Sequence, residues 1–132
     1  DRAFSFLKSL KVLKNGKIFC VVGCTPSIYK EKIFKELEFV DIICGPNSYK
    51  KFVSTLKDYS GGKESIFEED DKLFEEVVIP EISEKITSFV TITKGCENFC
   101  SYCVVPFARG KLVSKPENLI IEEIKILVDR GV

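Results

Sequence analysis

Histidine is missing from these 132 residues, and so is methionine. Without His there is no Ser-His-Asp triad, no zinc-peptidase site and no imidazole general base within the chain. Without Met the chain does not begin at an initiator, so either a start has been removed or the sequence is a piece of something longer. Long apolar runs are lacking too. The longest, Ile18 to Cys24, falls far short of the roughly 20 residues that span a bilayer. The opening Asp1-Arg2-Ala3-Phe4 leads into no apolar core with a small-residue cleavage site, so no secretory signal is read and no membrane partner is expected.

What is present is a globular composition, 45% hydrophobic and 30% charged, on the scale of one ordinary domain of roughly 100–150 residues. The 20 acids and 20 bases cancel, but they are segregated. Residues 1–62 hold 11 bases against 6 acids, residues 63–93 hold 3 against 9, and residues 94–132 hold 6 against 5. A basic first half is compatible with a nucleic-acid surface and equally with a solvated face. Six Cys are the concentrated chemistry, and three of them (Cys96, Cys100 and Cys103) fall within eight residues. Such clustering favours a metal or cluster site in a reducing compartment over a disulfide framework, which places the protein in the cytosol or an organellar matrix.

Periodicity gives an alternating pattern. Ala3 to Lys14 carries Phe6, Leu7, Leu10 and Leu13 as a helical stripe. Lys17–Gly23 reads as a buried strand built on Ile18, Phe19, Val21 and Val22. Thr25 or Ser27 is placed to cap a helix over Ile28–Phe39, with Pro26 in its first turn and Ile33, Phe34 and Leu37 on one face. Val40–Cys44 is a second strand and Ser48–Tyr59 a third helix. Lys63 to Lys72, with its Glu68-Glu69-Asp70-Asp71 run, reads as an acidic linker or exposed hairpin, and Pro80 marks a boundary. Ser88–Thr93 is a β-branched strand running into the three-Cys loop, and Asn118–Arg130 is a final helix with Gly131 as its stop. Alternation of this kind is the signature of a parallel α/β layer.

The loop Thr93-Lys-Gly-Cys96-Glu-Asn-Phe-Cys100-Ser-Tyr-Cys103 has the spacing C-x3-C-x2-C. A closed structural zinc site needs four ligands, and no fourth Cys or His is nearby. Three thiolates on one loop suit three irons of a 4Fe–4S cluster, leaving the fourth iron open to a ligand that is not protein. A zinc knuckle or three free thiols is the alternative reading. In a non-catalytic iron–sulfur or zinc module, Cys24 or Cys44 would complete the set.

With Tyr102 in the aromatic place, the loop resembles the radical S-adenosylmethionine signature. The longer string from Gly95 to Gly110, followed by Ser114-Lys-Pro116, resembles the methylthiotransferase family, nearest to its MiaB-type branch. The resemblance implies that Cys96, Cys100 and Cys103 hold a 4Fe–4S cluster whose open iron binds S-adenosylmethionine. It also puts Tyr102 on the adenine side of that cofactor and Arg109 near cofactor or substrate. Upstream, Val21-Val-Gly-Cys24 with Asp41-Ile-Ile-Cys-Gly45 and Asn47 resembles the end of the family's N-terminal domain, where Cys24 would be one ligand of a second 4Fe–4S cluster. The family continues Gly-Cys-x-Ala-Gln where this chain has Cys24-Thr-Pro-Ser27. Cys20 and Cys44 match no motif position and read as core residues.

The implied architecture is the latter part of a Rossmann-like domain over 1–80, then the opening β/α unit of a radical barrel over 81–132, cut at both ends. The implied substrate is an adenosine beside the tRNA anticodon, with a ribosomal protein as the alternative within the family. A full-length enzyme of this kind would be a monomer served by an electron donor the sequence does not identify.

Overall fold

Ile42, Ile43 and Cys44 form an unbroken apolar run, as a strand does when both its faces are covered. In the computed structural model, which describes residues 2–67, 74 and 87–132, that run is β2 (Ile42–Cys44), and all three residues are buried. It is the middle of a three-stranded parallel sheet, between β1 (Cys20–Val22) and β3 (Glu64–Ile66). Val21 stands opposite Ile43, and Ile43 opposite Ser65. Parallel neighbours need crossovers, and the chain supplies helices for them. Before β1 come α1 (Arg2–Ser9) and a 3-10 turn, Leu10–Leu13. Between β1 and β2 run α2 (Cys24–Tyr29) and α3 (Lys32–Glu36), and between β2 and β3 runs α4 (Tyr49–Lys57). This is an α/β fold compatible with a Rossmann-like domain.

The two faces of the sheet carry separate cores. Val21 and Ile43 pack with Phe4, Ile33, Phe34, Leu37 and Val40 on one side. Ile42, Cys44 and Ile66 pack with Cys20, Phe52 and Tyr59 on the other. Each fully buried Ile or Leu among them contributes roughly 1.5–3 kcal/mol. Asp41 ties the near ends of the strands together. Its carboxylate accepts from the Phe19 N–H at 2.7 Å and from Lys14, and its own carbonyl accepts from the Glu64 N–H at 2.9 Å.

Several expectations are corrected. The helix foreseen over 28–39 is broken in two at Lys30, which sits at φ +43. Gly23 occupies the N-cap, so Thr25 and Ser27 lie inside α2 rather than capping it. Pro26 still suits the first turn, where its missing N–H would have had no partner. In α1 the buried residue is Phe4, with Leu7 packed beside it, while Phe6 is exposed, because i, i+3 spacing puts residues 4 and 7 on one face; Leu13, in the 3-10 turn, is exposed as well. β1 covers only Cys20–Val22 and lies at an edge of the sheet among the described residues; Val22 is 37% exposed, and Ile18, before the strand begins, is 45% exposed, where a buried strand over 17–23 was expected. Part of the supposed linker, Glu64–Ile66, is the third strand: a short, charge-flanked segment carries little periodicity of its own, and its pairing with β2 makes it a strand. The acidic run 68–71 and the boundary at Pro80 lie outside the described residues.

The residues group into two compact units, Asp1–Asp70 with Phe107–Arg109, and Asp71–Pro106 with Gly110–Val132. In the second, the strand expected over 88–93 is reduced to β4 (Thr93–Lys94), which pairs antiparallel with β5 (Val113–Ser114). A strand is defined by its partner, and among the described residues only 93–94 find one, with the Lys115 N–H reaching Ile92 O at 2.8 Å beyond them. The short α5 (Val105–Arg109) and β5 carry no periodicity that sequence reading would detect. The helix α6 (Glu117–Asp129) follows Pro116 and stops before Gly131, at φ +85. Its buried residues are Leu127 and Glu123, and Glu123 pairs with buried Lys115. Among the described residues no helix is long and apolar enough to cross a membrane.

Candidate functional site

In the second unit the three-Cys loop starts where β4 ends. Gly95 sits at φ +75, and a Cβ there would lie 1.9 Å from Lys111 O, so no other residue fits. The Cys96 N–H donates to Gly110 O at 3.2 Å, and the Cys103 N–H donates to Cys100 O at 2.9 Å across a tight turn. Cys96 and Cys103 are half-buried, Cys100 is exposed, and the Tyr102 ring is 90% exposed. Phe99, between the thiols, is at φ +45, a rare place for an aromatic residue. All three thiols are free. Among the described residues no three Cys, Asp, Glu or His gather closely enough to hold a metal ion. The structure therefore puts the three cysteines on one loop without converging their sulfurs. The donor set fits an iron–sulfur cluster in number and kind; its convergence is not built in beforehand.

In the first unit, Cys24 is the first residue of α2, directly beyond the carboxyl end of β1. The Arg109 Nε–H donates to Cys24 Sγ at 3.4 Å, and Asn47 Nδ2 donates to Arg109 O at 3.1 Å. That hydrogen bond to Cys24 raises the guanidinium above its already high range. Cys24 and Asn47 both lie outside the carboxyl ends of parallel strands, where open α/β sheets place their ligands. The sequence marks Asn47 only as part of a motif. Its position just past β2 is the signal that marks it.

The remaining cysteines, Cys20 and Cys44, face the second core of the sheet. Burial pushes the Cys20 thiol up, with the Asp41 carboxylate adding to it, and burial likewise pushes up Cys44, with Cys20 adding. A ligand or nucleophile needs the thiolate, which burial disfavours. Cys44 instead donates its S–H to Gly45 O at 3.3 Å, as a core residue does. Burial also pushes the Asp41 carboxyl up, but the hydrogen bonds from Lys14 and the Phe19 N–H outweigh it and hold the group below the usual carboxylate range. The Lys115–Glu123 pair, with both side chains near 5% exposure, was not foreseen. Nothing in a Lys and a Glu eight residues apart announces a buried pair.

No family model matches the chain. Curated relatives do. A tRNA-2-methylthio-N(6)-dimethylallyladenosine synthase of Citrifermentans bemidjiense is 35% identical over 95% of this chain. One of the same name from Actinobacillus succinogenes is 38% identical over the whole chain. The ribosomal protein uS12 methylthiotransferase RimO of Dictyoglomus thermophilum is 39% identical, again over the whole chain. The chain belongs to the methylthiotransferase family. It spans 29% of the length of the first two relatives and 30% of the third. Of the six cysteines in this member of the family, Cys100 is exposed, Cys20, Cys24, Cys96 and Cys103 are half-buried, and Cys44 is buried.

Proposed function

We propose that the chain is the cluster-bearing portion of a radical S-adenosylmethionine methylthiotransferase acting on tRNA. The observation that carries this is the C-x3-C-x2-C loop, three uncommitted thiols opened by a glycine that admits no side chain, in a chain 35–39% identical to methylthiotransferases. On this reading residues 1–80 close a Rossmann-like domain and 81–132 open a radical barrel. When bound, the cluster and S-adenosylmethionine supply one-electron chemistry that activates a C–H bond for installation of a methylthio group.

This chain's own residues have narrower tasks. Cys96, Cys100 and Cys103 hold the cluster as thiolates, leaving one position free for the amino and carboxylate groups of the cofactor. Tyr102 offers an exposed ring to the adenine. Cys24 is a ligand of a second cluster whose other cysteines come from elsewhere, and the Arg109 Nε–H orients its sulfur. The net excess of bases over residues 1–62 suits a polyanionic substrate. A ribosomal protein substrate is the second reading, favoured by the 39% identity to the enzyme named for uS12. The enzyme works as a monomer in the cytoplasm.

Anaerobic reconstitution with iron and sulfide tests the ligand assignment. The chain is expected to take up about four irons, and Cys96→Ala, Cys100→Ala or Cys103→Ala to abolish uptake, while Cys20→Ala leaves it intact. Stoichiometric zinc binding with no iron uptake would sink the proposal.

A further inference from the structure

The ladder between β4 and β5 slips by one residue at the entrance to the loop. Ile92 bonds Lys115, Thr93 faces Ser114 and Lys94 faces Val113. Continued regularly, that register would set Cys96 against Lys111. Instead the Cys96 N–H reaches Gly110 O, so two residues of the return strand, Lys111 and Leu112, face Gly95 alone. This is the pattern of a β-bulge, a device that redirects the side chain next to it. Gly95 permits it in two ways: its φ of +75 falls in the left-handed region, and its bare Cα lets the Lys111 and Gly110 carbonyls approach to where a Cβ would stand. Gly110, at φ +76 and ψ −158, holds a backbone conformation essentially reserved to glycine, but nothing lies within 4 Å of a Cβ built there.

We propose that Gly95 and Gly110 are positioning residues for iron binding: their bulge fixes the direction in which Cys96 leaves the hairpin, and so governs whether its sulfur can close with those of Cys100 and Cys103 on one cluster. This rests on the reading of those three cysteines as ligands. The bulge anchors the first thiol to the hairpin backbone, while the turn from Cys100 to Cys103 holds the other two to each other. Loading then has to bring together two preset pieces rather than three independent side chains. The two glycines act for different reasons. At position 95 any side chain collides with backbone; at position 110 there is room for a Cβ, and what has to be kept is a backbone conformation, φ +76 with ψ −158, that only glycine adopts readily.

The test is iron and sulfide loading of the full 132-residue chain, read by iron stoichiometry and by the visible absorbance of the cluster, with far-UV circular dichroism as the folding control. Gly95→Ala is expected to weaken loading by about 10–100-fold, the usual range for residues that orient a metal ligand. Gly110→Val is expected to weaken it as well. Gly110→Asn should fail in the same way, because φ +76 with ψ −158 lies in a region essentially reserved to glycine. Gly16→Ala, with the same backbone need at φ +74, open space around it and a place in the other unit, should load like the parent chain. Amide exchange adds a reading on the apo chain: Gly95→Ala should expose the Cys96 N–H and leave Lys115 N–H protected. Loading of Gly95→Ala or of Gly110→Val equal to the parent would overturn the positioning role and leave the ligand assignment standing. If the parent chain takes no cluster, the assignment itself falls, and the positioning role with it.

Discussion

The two units are held together by different physics. The first buries ten apolar residues on the two faces of a parallel sheet, from Phe4 to Ile66. In the second, among the described residues, the buried apolar side chains are Pro106 and Leu127, and to these are added a buried ion pair and a backbone clasp that tolerates no Cβ. One unit is stabilised by the bulk removal of surface from water, so it is forgiving of conservative exchange. The other depends on a few directional contacts, each hard to replace. A segment laid out to present thiols has little surface left over for a core, and specific contacts take over that task.

The sharpest way to break the comparison is at the ion pair. Glu123→Ala would leave Lys115 buried and uncompensated, at a cost of about 3–5 kcal/mol, while joint replacement by Met at 115 and Leu at 123 should be close to neutral. Amide exchange along α6 separates these outcomes, and an α6 unaffected by Glu123→Ala would deny the pair its role. In the first unit, Ile43→Ala opens a cavity between fully buried neighbours and should cost about 2–5 kcal/mol, whereas Ile43→Val should cost about 0.5–1.5. Denaturant titration reads both, and the graded response is what distinguishes a core from a clasp.

A smaller effect follows from Asp41. Its folded pKa lies below the unfolded carboxylate value, so its contribution to stability is complete above about pH 5 and is lost as pH falls through the depressed folded value. Asp41→Asn should therefore flatten the acid limb of the stability curve and cost about 1 kcal/mol at neutral pH, since Lys14 is partly exposed. An unchanged acid limb would count against the pairing. Least of all, Arg109→Ala should lower stability by about 0.5–1 kcal/mol through loss of its bond to Cys24, read as a small shift of the thermal midpoint.

How far the sequence discloses each unit follows from the same contrast. β2 was legible because a central parallel strand reads as a continuous apolar run, and Ile33, Phe34 and Leu37 were legible because a helix buries every third or fourth residue. β3 was not, since Glu64-Ser65-Ile66 becomes a strand only through its neighbour. The break at Lys30 was hidden because the apolar spacing on either side remains helical while one residue takes a positive φ. At the loop, residue types and spacing marked the thiols, whereas the bulge at Gly95, the Asn47–Arg109 contact and the buried Lys115–Glu123 pair all depend on chain segments 8 to 62 residues apart meeting in space.

Everything proposed for the second unit turns on whether a cluster held by Cys96, Cys100 and Cys103 leaves one iron open. The decisive measurement is the electron paramagnetic resonance spectrum of the reconstituted, reduced chain, recorded before and after adding S-adenosylmethionine. An open iron predicts a 4Fe–4S signal whose line shape changes on addition and that is missing from Cys100→Ala. A signal indifferent to the cofactor, or a chain that holds zinc and gives no signal, would contradict the account.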